Sequence, residues 1–378
     1  SSLEDILPYD LRKKYKLYNL VKSLGQIHFP ENFNAQEAAY KRVSFEEFFL
    51  FQISVFLRRL SIVTKKGIAH QIDEGFYKKF IGLFPFELTS AQIKVIKEIA
   101  GNLSAPSPMH RLLQGDVGSG KTLVAFFGCL AAVDNGYQAA LMAPTEILAR
   151  QHFQNLTKIL EGSVFKDVSV KLLTNELDPK DRVGIVEDTK QGKVDILIGT
   201  HALIQNEVYF KNLSFAVIDE QHKFGVRQRA LLSAKGRNPD ILVMTATPIP
   251  RTLCLTLYGD LDVSTINEIP PGRGTVSTFL FQNENAGQAY RMVAEAVKRG
   301  EQAYIIYPII DDSEKLDLKS AQQMFKELQA LVFKEYKLGL LHGQMKKQQA
   351  QVVMKKFIEK EIDILVATTI LEVGVEIG

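Results

Sequence analysis

The amino-acid sequence predicts an α/β protein with two parallel-sheet domains, the second incomplete, preceded by a helical connector. Short apolar runs alternate with helical stretches in two parts of the chain, residues 84–268 and 275–378. Apolar runs separated by helices indicate parallel strands that are covered on both faces. Two prolines and two glycines at residues 270–274 interrupt this alternation and predict a linker. Residues 1–83 are typical of helices and form the predicted connector.

Each apolar run is assigned to a strand, and each longer amphipathic stretch to a helix. In the first part the predicted strands are 111–114, 138–143, 168–173, 195–199, 215–219 and 241–245. In the second part they are 275–281, 302–310, 337–342 and 363–368, with helices at 286–299, 320–334 and 347–359. In the connector, Ser44 opens a predicted helix that runs to the basic residue Arg59.

Composition limits the class of protein without defining it. The 378 residues suffice for two or three domains, and a net charge of +3 favours a polyanionic partner only weakly. Cys129 and Cys254 stand alone, which argues against a zinc site or a disulfide framework and fits a reducing cytoplasm. No apolar run reaches the length of a membrane span, and the first residues do not resemble a secretory signal. We therefore expect a cytoplasmic protein with no membrane partner.

A glycine-rich motif between a predicted strand and a predicted helix indicates a nucleotide site. Its spacing, G-x-x-x-x-G-K-T, lets successive backbone N–H groups point at phosphate oxygens. Lys121 would contact the β- and γ-phosphates, and the Thr122 hydroxyl would bind Mg²⁺. We expect this turn to lie on a surface loop, so that loss of Lys121 would abolish turnover and leave the fold intact. The predicted phosphate-binding residues are Gly115, Asp116, Val117, Gly118, Ser119, Gly120, Lys121 and Thr122.

Two acids follow the apolar strand 215–219, about 100 residues beyond the glycine-rich motif. Strand ends of parallel sheets are where ligands bind, so Asp219 is predicted to hold Mg²⁺ and Glu220 to act as general base on the attacking water. Gln92 precedes the motif, and its amide matches the donor–acceptor pattern of adenine. Without the glycine-rich motif, ordinary surface acids and a surface glutamine would be the better explanation of these residues.

Several motifs resemble those of superfamily 2 helicases of the DExH type. Residues 219–222 read Asp-Glu-Gln-His, residues 143–152 resemble motif Ia, 198–201 motif Ic and 245–248 motif III. The extended form Thr-Pro-Ile-Pro-Arg-Thr at 247–252 narrows the resemblance to RecG-type helicases and the related transcription-repair coupling translocases. Residues 341–345 and 366–376 resemble second-domain motifs of the RecG type, with Glu376 where that family usually has Asp.

The resemblance implies two RecA-like domains, ATP and Mg²⁺ as cofactors, and DNA, in particular branched DNA, as the partner of a monomeric bacterial protein. His222 would relay occupancy of the γ-phosphate position. Thr145 and Thr200 could equally cap helices, and Arg251 could equally be a surface charge. The residues assigned to nucleic-acid contact are Thr145, Arg150, Thr200, His201, His342, Thr368 and Thr369. Those assigned to coupling hydrolysis to DNA movement are Thr245, Thr247 and Arg251.

RecG-type proteins carry a wedge domain before the motor and a motif VI after motif V, and this chain shows neither. Motif VI supplies arginines to the γ-phosphate, and an arginine finger contributes roughly 10³–10⁵ in rate. We therefore expect a fragment that binds ATP–Mg²⁺ but hydrolyses ATP poorly by itself. Three alternatives remain open: a nucleotide-binding module without catalysis, an RNA helicase, and a translocase related to the coupling factor.

Overall fold

The computed structural model describes residues 3–220, 226–246, 261–268, 276–307, 322–342, 345 and 347–368. The chain divides into two units, Ser1–Pro270 and Pro271–Gly378. The predicted connector and the first predicted sheet domain thus share one unit. The finer division into three regions stays a prediction.

Four helices open the first unit: α1 (Tyr9–Tyr15), α2 (Leu20–His28), α3 (Phe33–Val63) and α4 (Glu74–Ile81). The predicted helix from Ser44 to Arg59 lies within α3, which begins earlier because the Asn32 side chain accepts the Ala35 N–H. Arg42 of α3 is fully buried and pairs with both Asp5 and Glu46 at 2.6 Å. The pair with Asp5 fixes the chain start to α3, whereas the pair with Glu46 lies within α3.

A seven-stranded sheet forms the centre of this unit, and every strand pairing in it is parallel. Its strand order is β3-β4-β2-β5-β6-β1-β7. The strands are β1 (His110–Gly115), β2 (Gln138–Met142), β3 (Val170–Leu173), β4 (Ile196–Gly199), β5 (Leu213–Ile218), β6 (Asp240–Thr245) and β7 (Asp262–Ile266). The first six match the predicted strands, so the predicted parallel sheet is confirmed.

Helices follow the strands and cover the sheet: α5 (Ser90–Leu103), α6 (Lys121–Asp134), α7 (Glu146–Leu160), α8 (Pro179–Gln191) and α9 (Val226–Ser233), with a 3₁₀ turn at His201–Ile204. Helix α6 is buried along nearly its whole length, and its Phe127 packs edge-on against Phe76 and Phe80 of α4. Gly128 faces Phe215 of β5 so closely that a Cβ there would collide with the ring. The connector therefore contributes part of the packing around α6, the helix that follows the glycine-rich motif.

Asp240, at the start of β6, is buried beside His70 of the predicted connector. Its Oδ1 accepts the Met109 N–H at 2.6 Å, and its Oδ2 lies 3.6 Å from Nε2 of His70, a Coulombic distance rather than a hydrogen bond. Burial raises the pKa of the Asp240 carboxyl above its ordinary value, although His70 and the Met109 N–H oppose the shift. Relative to the unfolded chain, folding therefore favours the protonated carboxyl.

Replacing Asp240 by asparagine is expected to stabilise the protein increasingly as pH rises. A raised folded-state pKa gives stability that is complete below the unfolded pKa and is lost as pH rises through the folded value, above about pH 4. Asparagine keeps the acceptor for Met109 and does not ionise, whereas alanine leaves that N–H unpaired and should cost about 1–3 kcal/mol. Urea unfolding at several pH values tests this, with the exposed Asp181→Asn as control; a pH-independent difference between Asp240→Asn and wild type would contradict it.

The second unit contains a three-stranded parallel sheet in the order β8-β10-β9. Its elements are β8 (Ala303–Tyr307), β9 (Leu338–Leu341), β10 (Ile364–Thr368), α10 (Ala286–Lys298), α11 (Lys347–Ile358) and a π-helical turn at Leu328–Val332. The predicted strand at 275–281 was wrong over 276–281, which form no strand. An isolated strand needs a paired neighbour, and Leu280 is instead 97% exposed.

The unit is nevertheless an α/β fold like the first. Together the two parallel sheets confirm the predicted pair of RecA-like domains, the second of them smaller. Among the residues described above, no helix combines the length and apolar character needed to cross a bilayer.

Candidate nucleotide and nucleic-acid site

The predicted motifs of the first unit meet along one edge of its sheet. Because all strands are parallel, their carboxyl ends lie on the same edge, where ligands of such sheets bind. The strand order sets the sequence of motifs along that edge: motif Ic after β4, motif Ia after β2, the acids after β5, motif III after β6 and the glycine-rich loop after β1. Strands β1 and β5 both flank β6, so their ends are about 10 Å apart.

The glycine-rich loop has a conformation that its glycines make possible. Gly118 and Gly120 have φ values of 76° and 91°, in the left-handed region that favours glycine. A Cβ at Gly120 would also collide with the Gln92 amide. The Ser119 hydroxyl is buried with no hydrogen-bond partner among the described residues. The loop is therefore a tight backbone cradle with room for no additional side chain at Gly120.

Lys121 differs from its predicted environment. Its side chain is buried rather than on an exposed loop, and Nζ donates hydrogen bonds to the carbonyl oxygens of Gly115 at 2.7 Å and Asp116 at 2.8 Å. The expectation of a surface loop was wrong because the first turn of α6 faces into the cradle. The lysine thus also holds the loop together, in addition to presenting a cation to it.

Gln92 supports the glycine-rich loop from α5. Its Oε1 accepts the Thr89 N–H and its Nε2 donates to the Ser119 carbonyl at 2.9 Å, while the Thr89 hydroxyl accepts the Gln92 N–H. This reciprocal capping arrangement fixes the start of α5 and the loop together. A glutamine amide has two donors and two acceptor positions, so the two contacts leave capacity for a base. Its contact with adenine stays a prediction.

Glu268 is a residue of this region that sequence reasoning missed. Its carboxylate accepts hydrogen bonds from the Ser90 hydroxyl at 2.6 Å and the Ala91 N–H at 3.0 Å, at the start of α5. These hydrogen bonds, that from Ser90 first, lower the pKa of the Glu268 carboxyl. No local sequence signal marks this contact, because its partners are almost 180 residues apart.

Asp219 lies directly beyond β5 and is held on two sides. Its backbone N–H donates to the Met142 carbonyl of β2 at 2.9 Å, and its Oδ2 lies 2.8 Å from Nε2 of His152 on α7. The Asp219 side chain is one-tenth exposed and that of His152 less. His152 belongs to the segment that resembles motif Ia, but no signal in the sequence marks it for a role of its own.

Glu220 adopts a backbone conformation that is rare for a residue with a side chain. Its φ is 51°, in the left-handed region, and its Oε2 lies 3.5 Å from the Ala246 N–H in motif III. Strain of this kind costs roughly 1–3 kcal/mol and is concentrated at functional sites. The β5–β6 register aligns Ile218 with Val243, so Glu220 lies level with Thr245. The acid and the motif assigned to coupling are therefore adjacent.

The residues assigned to nucleic-acid contact in this unit lie over β2 and β4, beside the acids. Thr145 caps α7 by accepting the Leu148 N–H at 3.3 Å, so its capping role is confirmed. Thr200 is buried and its side chain makes no capping bond, whereas His201 is exposed. Arg150 is half exposed and lies 3.7 Å from Glu176, a surface pair that contributes little stability. Nucleic-acid contact by these residues stays a prediction.

In the second unit, His342 follows β9 and Thr368 ends β10, on the same edge of neighbouring parallel strands. Thr368 is buried, and burial lowers the pKa of His342. Four assigned residues lie outside the described part of the chain: His222, Thr247, Arg251 and Thr369.

The site fits a nucleoside triphosphate with Mg²⁺. The loop would supply backbone N–H groups, and Lys121 Nζ already contacts the loop carbonyls of Gly115 and Asp116. The buried Ser119 hydroxyl has no hydrogen-bond partner among the described residues. Among the described residues, no group of three or more His, Cys, Asp or Glu side chains could hold a metal by itself. Mg²⁺ bound with a nucleotide needs only one or two carboxylates together with phosphates and water, which suits Asp219 and Thr122.

This fold and site define a helicase-type nucleotide-binding protein, and comparison with known families agrees. Residues 89–255 match the DEAD/DEAH box helicase family, and residues 288–378 match the helicase conserved C-terminal domain. The structure is also similar, with 20% identity and a TM-score of 0.59, to a DUF1998 helicase MrfA bound to DNA, covering 83% of this chain and 47% of that one. At that identity the likeness shows the fold alone.

Relatives of higher identity narrow the family. The chain is 46% identical over its whole length to the ATP-dependent DNA helicase RecG of Synechocystis and 45% identical to that of Bacillus subtilis, covering 45% and 55% of those proteins. It aligns over its whole length with a RecG structure bound to a three-way DNA junction, at 40% identity and a TM-score of 0.83, covering 49% of that chain. The chain belongs to the RecG-type helicase family and spans about half the length of these relatives.

Proposed function

We propose that this chain is the motor part of an ATP-dependent DNA helicase that remodels branched DNA. The observation that carries the proposal is the placement of the glycine-rich loop and the two acids over one sheet edge, with one strand between them. Bound ATP–Mg²⁺ would supply the reactive phosphoanhydride and its charge-neutralising ion. We assign DNA as the nucleic acid because the RecG relatives are named DNA helicases and the similar RecG structure is bound to a three-way DNA junction.

Residues along the sheet edge would have different roles in binding and hydrolysing ATP. The loop N–H groups and Lys121 hold and orient the triphosphate, and Glu220 accepts a proton from the attacking water. Asp219 and Thr122 supply oxygen ligands to the ion. The contact between Glu220 and the Ala246 N–H gives motif III a direct response to movement of that acid. Thr245 would pass this movement on as the coupling residue.

Two strands on the other side of the acids would carry the DNA. Thr145 and Arg150 follow β2, and Thr200 and His201 follow β4, next to it in the sheet. Hydroxyls, backbone amides and a guanidinium grip phosphate oxygens without reading bases, which suits a protein that moves along DNA. In this proposal the DNA grip and the nucleotide lie on opposite sides of Asp219 and Glu220 along the sheet edge, which agrees with the strand order. His342 and Thr368 would provide the corresponding grip in the second unit.

Stimulation of ATP turnover by different nucleic acids tests this function. We expect a three-way DNA junction to stimulate turnover by this chain most, single-stranded DNA less, and RNA of equal length least. Equal or greater stimulation by RNA would contradict the DNA assignment. Because the chain is expected to hydrolyse ATP poorly by itself, only turnover that no nucleic acid raises above background, in a chain that binds ATP and DNA, would support the non-catalytic nucleotide-binding module instead.

A further inference from the structure

The imidazole of His152 is the one side chain that the described structure shows in hydrogen-bond contact with the Asp219 carboxylate. Nε2 lies 2.8 Å from Oδ2, and both residues are buried. A carboxylate only accepts hydrogen bonds, so Nε2 carries the ring proton and donates it. Nδ1 is buried with no hydrogen-bond partner among the described residues. Asp219 is therefore the polar partner that accounts for a histidine at this position.

We propose that His152 is a positioning residue for the metal carboxylate of Asp219, an inference that rests on the proposed ATP–Mg²⁺ site. The hydrogen bond from Nε2 holds Oδ2 and fixes the carboxylate plane, so that Oδ1 is the oxygen directed to the ion. Residues that orient a metal ligand in this way typically contribute 10- to 100-fold, in order of magnitude, to metal affinity or activity. His152 itself touches neither the ion nor the nucleotide in this assignment.

The elements that carry the two residues explain why the contact is rigid. Asp219 extends from β5, and its backbone N–H is tied to Met142 at the end of the neighbouring β2. His152 lies two turns into α7, the helix that follows β2 and begins at the Thr145 cap. Leu148, Ala149 and Leu156 of that helix are buried around it. The helix that begins with motif Ia therefore also sets the orientation of the acid.

The competing explanation is that His152 serves only the stability of the fold. A buried polar pair is weak evidence for such a role. Well-packed apolar side chains of similar volume usually serve stability as well as or better than a buried ion pair. The His152→Leu variant keeps volume and removes the donor, whereas His152→Gln retains an N–H at a similar reach. His152→Asn carries the same amide on a side chain one carbon shorter. Gln154→Ala, at an exposed position of α7, is the matched control.

The test measures the affinity of this chain for a fluorescent ATP analogue, with excess EDTA and over a Mg²⁺ titration, alongside thermal unfolding. We expect His152→Leu to raise the Mg²⁺ concentration needed for half-maximal tightening of nucleotide binding about 10-fold or more, with affinity in EDTA unchanged. In His152→Gln this Mg²⁺ concentration should return close to the wild-type value, whereas in His152→Asn it should stay raised. Gln154→Ala should match wild type. If His152→Leu does not fold, the comparison of His152→Gln with His152→Asn is the test, and the Asn variant should need the higher Mg²⁺ concentration.

A wild-type Mg²⁺ requirement in His152→Leu would overturn the proposal. So would equal weakening in EDTA and in Mg²⁺ with no difference between Gln and Asn, because that result marks general damage to the fold. A wild-type chain whose nucleotide affinity does not respond to Mg²⁺ would overturn the proposed function as well, and the wild-type titration therefore separates the two failures.

Discussion

Replacing Lys121 by alanine is expected to reduce DNA-stimulated ATP turnover by roughly 10²–10³, or to background. The change removes a preorganised cation from the place where charge develops on the transferred phosphoryl group, and loss of one such group costs about that factor. The buried position of Lys121 adds a second effect. Its two hydrogen bonds to the Gly115 and Asp116 carbonyls are lost too, which leaves the loop less fixed.

Steady-state turnover and nucleotide titration together separate these effects. Hydrogen bonds from a charged group such as this ammonium contribute about 1.5–3 kcal/mol each, so the free energy of unfolding should fall by no more than about 6 kcal/mol. Lys97→Ala, at an exposed position of α5, is the control for loss of a lysine in the same unit. Turnover within a few-fold of wild type in Lys121→Ala would mean that the loop does not hold the reacting phosphates.

Replacing Glu220 by glutamine is expected to lower turnover by about 10²–10⁴ while nucleotide binding persists. A positioned general base contributes about that factor, and the amide retains size and polarity but accepts no proton. Glutamine keeps an oxygen for the contact with the Ala246 N–H, so the left-handed turn at residue 220 should be preserved. Unlike Lys121→Ala, this variant should hold ATP as tightly as wild type.

Single-turnover hydrolysis and equilibrium binding of ATP distinguish the two variants. Glu161→Gln, an exposed acid in the same unit, controls for the change of charge. Equal loss of binding and turnover in Glu220→Gln would show that the acid acts on nucleotide affinity rather than on water. Retained turnover would move the general base to another residue.

Prediction from sequence succeeded where local pattern and motif spacing carry the information. The six apolar strands and the loop between β1 and α6 were found because buried parallel strands are continuous apolar runs. It missed β7, whose half-polar sequence Asp-Val-Ser-Thr-Ile alternates between exposed and buried. A strand with one open side resembles a loop in composition and is recognised only by its pairing with β1. The strand assigned to 275–281 failed for the converse reason, since apolar residues there have no paired neighbour.

The candidate site shows the same division. The sequence alone identified as candidates the spaced glycines, the two acids after an apolar strand and Gln92. Each belongs to a short motif at the end of a strand or helix. The sequence could not predict the contacts of His152 and Glu268 or the burial of Lys121. Each depends on side chains that are distant in sequence, 67 residues for His152 and Asp219 and 178 for Ser90 and Glu268.

The sequence by itself determined the α/β class, the glycine-rich loop and the position of the two acids after a strand, because backbone geometry and strand burial restrict which residues can stand at those positions. Only the tertiary structure decided the order of motifs along the sheet edge, since strand order is set by pairing and not by position in the chain. It also decided that Asp219 is held by His152 and that Glu220 faces Ala246. These contacts exist because parallel pairing brings the ends of strands far apart in sequence to one edge.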